Sequence, residues 1–377
     1  NQGKTSRQVI AGLTEWGVQT PHFCFCVLRS VAAAKGCVRR QSRRKNQSLR
    51  CIRQTRHSGH TIASQSDAAY GNCYGIYVMT ALTSTSSYIG RFAPTPSGHL
   101  HFGSLVAALA SYLDARSVSG RWLLRMEDLD PPREMPGAQA AILDALERYG
   151  FEWDGELVRQ SDRHEAYADV LNRLFSMGLA YACTCSRKQL EGYNGIYPGL
   201  CRNAGHSMEN AAIRVRVPEL EYRFEDRVQG PFGQHLGREV GDFVIRRRDG
   251  LYAYQLAVVL DDAAQGVTDI VRGADLLDST PRQLYLQELL GLSQPRYLHV
   301  PLIVQPDGHK LGKSYRSPPL TPEQATPLLL RALRALGQTP DECLNDATPR
   351  EILDWGIAHW SAANIPRTLT LAEAQLR

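Results

Sequence analysis

Residues 88–104, Tyr-Ile-Gly-Arg-Phe-Ala-Pro-Thr-Pro-Ser-Gly-His-Leu-His-Phe-Gly-Ser, constrain the fold more than any other stretch of this chain. An apolar run carrying one basic residue, Arg91, predicts a strand. Pro94, Pro96, Ser97 and Gly98 predict a turn. Leu105, Ala108, Leu109 and Tyr112 then recur at helical spacing, so a helix is expected to open at Ser104 and end near Gly120. A helix N-terminus offers unpaired N–H groups and the positive end of a dipole, so this corner is an anion site, with phosphate its usual guest. His99 and His101 can add hydrogen bonds to it without a permanent charge.

The strand-and-helix alternation continues. Residues 121–127, Arg-Trp-Leu-Leu-Arg-Met-Glu, predict a buried strand that runs into a loop rich in carboxylates, Asp128 to Arg133. Pro136 and Gly137 introduce a helix ending at Gly150. This is a βαβ unit, hence a parallel pair, and ligands of such sheets sit beyond the carboxyl ends of the strands. Arg91, His99, His101 and residues 127–130 are therefore expected around one crevice. Another helix is expected from Ser161 to Gly178, then an irregular insert from Tyr181 to about Val240. Strand and helix patterns return over 242–262, a strand and a charged corner over 266–278, a helix opened by Thr280-Pro281, and a strand over 298–304. A glycine-containing loop, Lys310-Leu-Gly-Lys313-Ser314, and a helical tail from Thr321 complete the chain. Two lysines three apart on such a loop can clamp a triphosphate and stabilise charge on departing pyrophosphate.

The net charge of +5 is unevenly placed. Residues 1–78 hold twelve Lys/Arg and two Asp/Glu, while the remainder is acidic on balance. This arm has no sustained period of 2 or 3.6, so it is expected to be a disordered or non-native extension preceding Met79, with an RNA-binding arm as the competing use. Any polyanion bound by the main body must meet a local basic face. Arg246, Arg247 and Arg248 are candidates, against their ordinary use as a solvated charged face. No apolar run is long enough to cross a membrane and no secretory signal is evident, so a cytoplasmic protein is expected. Nothing demands a dimer, and a monomer is expected.

His101-Phe-Gly-Ser104 and Lys310-Leu-Gly-Lys313-Ser314 resemble the two signatures of class I aminoacyl-tRNA synthetases. Arg91 to Thr95, residues 125–130, and 270–275 with 280–282 are similar to the glutamyl branch, and the tight corner Gly98 to Ser104 to its glutamyl-Q members. The resemblance covers about residues 88–377. It implies an α/β fold, a Rossmann-like catalytic domain with a zinc-containing irregular insert and a helical C-terminal region. The expected divisions are a basic extension over 1–87, catalytic halves over 88–180 and 241–318, the insert over 181–240, and the helical region over 319–377. It also implies activation of L-glutamate with ATP and Mg2+, then transfer to queuosine at the anticodon wobble position of tRNA(Asp).

By the same resemblance, Arg91 and Arg272 hold the carboxylates of glutamate, Glu127 its ammonium, and Tyr254 contributes a hydroxyl. A fork of N–H donors suits a carboxylate, and two such arginines could each grip one by paired bonds. Phe92, Ala93, Pro94 and Thr95 line that pocket, while His101, Gly103, Lys310 and Lys313 serve the ATP phosphates. Asp128, Asp130 and Arg133 are as well explained as ion pairs that tie a loop. Gly312 stands where the signature usually has Ser, and Ser104 where the wider class has a second His.

Cys183, Cys185 and Cys201 lie within nineteen positions, which suggests one structural zinc ion. Spacing leaves the fourth ligand open, with His206 the ordinary chemical choice; the resemblance implies Tyr197 instead. Sixty-three residues follow Ser314, too few for the anticodon-binding region of a full glutamyl-tRNA synthetase. Two other functions stay in view. One is a truncated conventional glutamyl-tRNA synthetase charging tRNA(Glu), and the other is an inactive RNA-binding paralogue.

Overall fold

The computed structural model describes residues 87–305 and 318–376. The basic arm and the lysine loop, with Lys310, Gly312, Lys313 and Ser314, lie outside the described residues.

The opening corner forms as a strand, turn and helix. β1 (Ile89–Phe92) leads to α1 (Phe102–Arg116), and β2 (Arg121–Met126) returns parallel to β1 with Arg91 opposite Leu123. α1 begins two residues earlier than the apolar spacing predicts. His101 is the N-cap, its Nδ1 accepting the Ser104 N–H at 3.4 Å, so Ser104 lies inside the first turn. A periodic pattern marks the buried stripe but not the polar residue that caps it. Most of α1 is buried, because β1 covers one side and later helices cover the other.

α2 (Ala138–Arg148), β3 (Val158–Arg159), parallel to β2, and α3 (His164–Ser176) follow. Then come β4 (Ala180–Cys183), β5 (Ala212–Val215), β6 (Glu221–Asp226), β7 (Gly230–His235), α4 (Leu236–Glu239) and β8 (Val244–Arg246). The segment expected to be irregular therefore contains sheet on both sides of an irregular stretch over 184–211. β4, β5 and β8 form an antiparallel sheet, and β6 pairs antiparallel with β7 in a separate, mixed sheet.

α5 (Tyr254–Ala264) precedes β9 (Asp269–Gly273), α6 (Thr280–Leu290) and β10 (Arg296–Val300), which runs parallel to both β9 and β6. The Thr268 N–H donates to the Ile89 carbonyl at 2.9 Å, and the Ile89 N–H to the Thr268 hydroxyl at 2.9 Å, so β9 lies beside β1. The strand expected over 298–304 is broken at Pro301, which leaves β11 (Leu302–Val304) separate. Two helices, α7 (Ala325–Ala335) and α8 (Pro349–His359), close the core over α1. Thr348 and Glu351 form a reciprocal capping box at the start of α8. The tail is not wholly helical, since β12 (Thr370–Ala372) pairs in parallel with β11. Among the described residues, no helix is long and apolar enough to cross a membrane.

Candidate active site

β1, β2 and β9 end at a cleft of about 770 Å³. Its wall contains Arg91 to Thr95, His101, Gly103, Glu127, Tyr254 and Arg272, whereas His99, expected around the same crevice, is exposed and does not line it. The Glu127 N–H donates to the Pro94 carbonyl at 2.9 Å, which ties the end of β2 to the turn after β1. His101 caps α1 with one ring nitrogen, so the helix N-terminus opens into the cleft beside Gly103.

The basic floor is held by a carboxylate that no motif announced. Arg91 Nε and Nη2 donate to Asp262 at 3.0 and 3.4 Å, and Arg125 Nη2 donates to the same carboxylate at 2.7 Å. All three side chains are buried. Burial alone would raise the Asp262 pKa, but the charges of Arg125 and Arg91 and their hydrogen bonds outweigh it and hold it below the usual range. Asp262 occupies one edge of the Arg91 fork, and the Nη1 side remains for a ligand.

Arg272 is arranged differently. It is 5% exposed, yet among the described residues it makes no ion pair. Its Nε donates to His299 Nε2 at 3.0 Å, and its Nη2 to Thr280 Oγ1 at 2.9 Å and the Leu276 carbonyl at 3.3 Å. Nη1 reaches the Tyr254 hydroxyl at 3.4 Å. One Nη1 proton and the Tyr254 proton are left to donate. Protein acceptors thus occupy most of the Arg272 guanidinium. Burial pushes the Tyr254 phenol up, partly offset by the Arg272 charge, so it stays a donor. Burial also lowers the His299 pKa against the pull of Asp226, so the imidazole is neutral.

Glu127 lies 3.7 Å from Arg125, with its side chain 10% exposed. Burial drives its pKa to about 7 even though Arg125 and Arg91 oppose the shift. Glu127 is short of a cation. Three guanidinium groups, Arg91, Arg125 and Arg272, and the carboxylates of Asp262, Glu127 and Asp275 line the cleft or lie directly behind it.

Several expectations resolve into structure. Asp128 accepts from the Ser161 N–H and hydroxyl at 2.9 and 2.8 Å, fixing the approach to α3. Asp130 pairs with Arg133 at 2.6 Å and Arg247 at 3.1 Å. Arg247 also pairs with Asp249, and Arg248 donates to the carbonyls of Thr184 and Cys185, so these two candidates for phosphate contact are engaged within the chain.

The cysteine group lies apart from this floor in its own small core. Sγ atoms of Cys183, Cys185 and Cys201 all fall within 4.8 Å of one another and could hold a metal ion. The Tyr197 oxygen sits among them, 3.3 Å from Cys183 and 3.7 Å from Cys185, and accepts the Cys201 N–H at 2.8 Å. The Arg214 guanidinium lies 3.8 Å over the Tyr197 ring. Gly241, at φ +69°, packs so closely that a Cβ there would lie 2.5 Å from the Tyr197 carbonyl. His206 instead meets the Thr184 hydroxyl at 3.3 Å.

Residues 89–320 match the family model described as tRNA synthetases class I (E and Q), catalytic domain. The chain belongs to this family. The synthetase is 83% identical over 298 residues to a glutamyl-Q tRNA(Asp) synthetase of Pseudomonas fluorescens, spanning 79% of this chain and 100% of that one. It is 78% identical over 292 residues to the Pseudomonas aeruginosa protein of the same name, covering 78% and 100% of the two chains. In fold, the synthetase is similar to a glutamate tRNA ligase of Elizabethkingia meningosepticum crystallised with its amino acid. The TM-score is 0.65 at 23% identity, over 77% of this chain and 68% of that one.

Sequence reasoning missed Asp262, Asp226 and His299. The signal for the first was present: Asp261 and Asp262 end a helix that is otherwise apolar on the same face. A charge on a buried face needs a partner. His299, within an apolar strand, gave the same weak sign.

Proposed function

We propose that this synthetase activates L-glutamate with ATP and transfers the glutamyl group to queuosine at the wobble position of tRNA(Asp). The name shared by relatives 78–83% identical along their whole length supports this acceptor over tRNA(Glu). The observation that carries the amino acid is the buried Arg272, which makes no ion pair among the described residues, in one cleft with Glu127, whose carboxylate burial makes hard to ionise. Glutamate brings two carboxylates, which guanidinium forks can hold, and one ammonium, which a carboxylate can hold.

The residues divide the work by charge. Glu127 takes the ammonium, which restores its ionised form. Arg272 Nη1 and the Tyr254 hydroxyl hold one carboxylate, and the remaining edge of Arg91 meets the other. An α-carboxylate oxygen attacks the α-phosphorus of ATP, the bond to the β-phosphate bridge breaks, and pyrophosphate leaves. Catalysis is positioning and charge stabilisation, with no protein nucleophile. His101, Gly103 and the N-terminus of α1 receive phosphate, assisted by Lys310 and Lys313, and Mg2+ enters with the nucleotide. The acceptor group of queuosine then attacks the adenylate carbonyl and AMP departs. Residues 88–180 and 241–318 are assigned to catalysis, 181–240 to the insert and 319–377 to the C-terminal region, acting as a cytoplasmic monomer.

Cys183, Cys185, Cys201 and Tyr197 fit a single structural zinc ion, three sulfurs and one oxygen converging on a small volume. Zinc there would supply cross-linking of the irregular stretch rather than chemistry. The test of the amino-acid half is glutamate-dependent exchange of pyrophosphate into ATP, with glutamine and aspartate as controls. Exchange with glutamate alone is expected; equal exchange with glutamine would refute recognition of a second carboxylate.

A further inference from the structure

Behind Arg272, buried groups run away from the cleft. Arg272 Nε lies 3.0 Å from His299 Nε2, and His299 Nδ1 lies 2.6 Å from Asp226 Oδ2. Neither the imidazole nor the carboxylate has any exposed side-chain surface. A guanidinium only donates, so Nε2 must carry a lone pair, and the imidazole proton must sit on Nδ1 and be donated to Asp226. The other oxygen of Asp226 is fixed by three backbone N–H groups, from Val228 at 3.0 Å, Gln229 at 2.8 Å and His299 at 3.2 Å. The His299 ring stacks on Tyr297, with planes 8° apart. Neither Asp226 nor His299 lines the cleft.

We propose that Asp226 and His299 are positioning residues that hold Arg272 by a neutral acceptor, so that its orientation is fixed while its charge stays available to the substrate carboxylate. The contrast with Arg91 carries the argument. Asp262 holds Arg91 firmly and cancels its charge in doing so. A histidine in the Nδ1–H tautomer instead holds Arg272 Nε through one neutral acceptor and keeps the carboxylate of Asp226 one ring away from the guanidinium. Asp226 selects that tautomer, and its backbone donors keep it ionised and unable to turn. The inference rests on the proposed glutamate pocket, which it deepens by naming what makes Arg272 selective for a carboxylate.

Asp226→Asn provides the sharpest perturbation. The three backbone donors require its oxygen to stay in place, so the new amide nitrogen faces His299 Nδ1. The ring must then protonate Nε2, which sets a donor against Arg272 Nε. The glutamate KM in pyrophosphate exchange should rise about tenfold, the cost of one misdirected hydrogen bond to a charged group. The ATP KM and kcat should stay near wild type. His299→Gln presents an amide oxygen to Arg272 and an amide N–H to Asp226, so it should retain most glutamate affinity, whereas His299→Leu should lose it.

The tautomer itself is read in the wild-type chain by long-range ¹H–¹⁵N correlation of the histidine rings, with His299 assigned by the signal lost in His299→Gln. This arm does not depend on any other variant folding. A proton on Nε2 in the wild type, an unchanged glutamate KM in a folded Asp226→Asn, or an equal loss in kcat and both KM values would overturn the inference. If the wild type shows no glutamate-dependent exchange, the function and the inference fall together; exchange in the wild type with Asp226→Asn unaffected removes the inference alone.

Discussion

Glu127→Gln separates what the pocket does from what it costs. Folding moves the Glu127 pKa from 4.5 to about 7, because burial outweighs Arg125 and Arg91. A pKa raised on folding means that ionisation is harder in the native state. Stability therefore falls as pH rises from 4.5 to about 7 and is flat above. The full effect corresponds to about 3 kcal/mol at 1.36 kcal/mol per pH unit. Glutamine does not titrate and is nearly isosteric, so the variant should be more stable than the wild type at pH 8. We expect a gain of about 1–3 kcal/mol by urea denaturation, shrinking toward zero near pH 5. Activity should move the other way. Loss of a charge-assisted bond to the substrate ammonium should raise the glutamate KM by about 10- to 100-fold. In the wild type the same KM should worsen as pH drops below 7, since a protonated carboxyl cannot hold a cation. A variant less stable than wild type at pH 8, or one with an unchanged glutamate KM, would refute the assignment of Glu127.

Two further outcomes follow from the geometry. Asp262→Asn leaves Arg91 and Arg125 buried without their shared carboxylate, so it should destabilise the fold by about 3 kcal/mol at pH 7. Because the Asp262 pKa is depressed, that difference should narrow on acidification, checked by urea denaturation across pH; wild-type stability at pH 7 would contradict it. For the cysteine group, Cys201→Ser and Tyr197→Phe should lower the bound zinc measured on the purified protein, while His206→Ala should leave it unchanged. The reverse pattern for Tyr197 and His206 would exchange the fourth ligand.

The sequence made the opening corner legible because strand, turn and helix each carry a local signature there. The βαβ pattern brought Arg91 and Glu127 to one crevice, but Tyr254 and Arg272 joined them only through resemblance, since their approach depends on the long-range placement of β9 beside β1. What it hid was long-range. Arg91 and Asp262 are 171 residues apart and His299 and Asp226 are 73 apart, and no period or motif links such pairs. β12 escaped because a three-residue strand has no room for alternation. His101 was expected to face a ligand; it also caps its own helix, a role that the stripe of apolar residues in α1 does not reveal.

The acceptor is queuosine-containing tRNA(Asp) in the function proposed above. It is tested by incubating the protein with ATP, labelled glutamate and purified tRNA(Asp) with or without queuosine, with tRNA(Glu) in parallel. Label is expected on queuosine-containing tRNA(Asp) alone. Label on queuosine-free tRNA(Asp), or on tRNA(Glu), would contradict it.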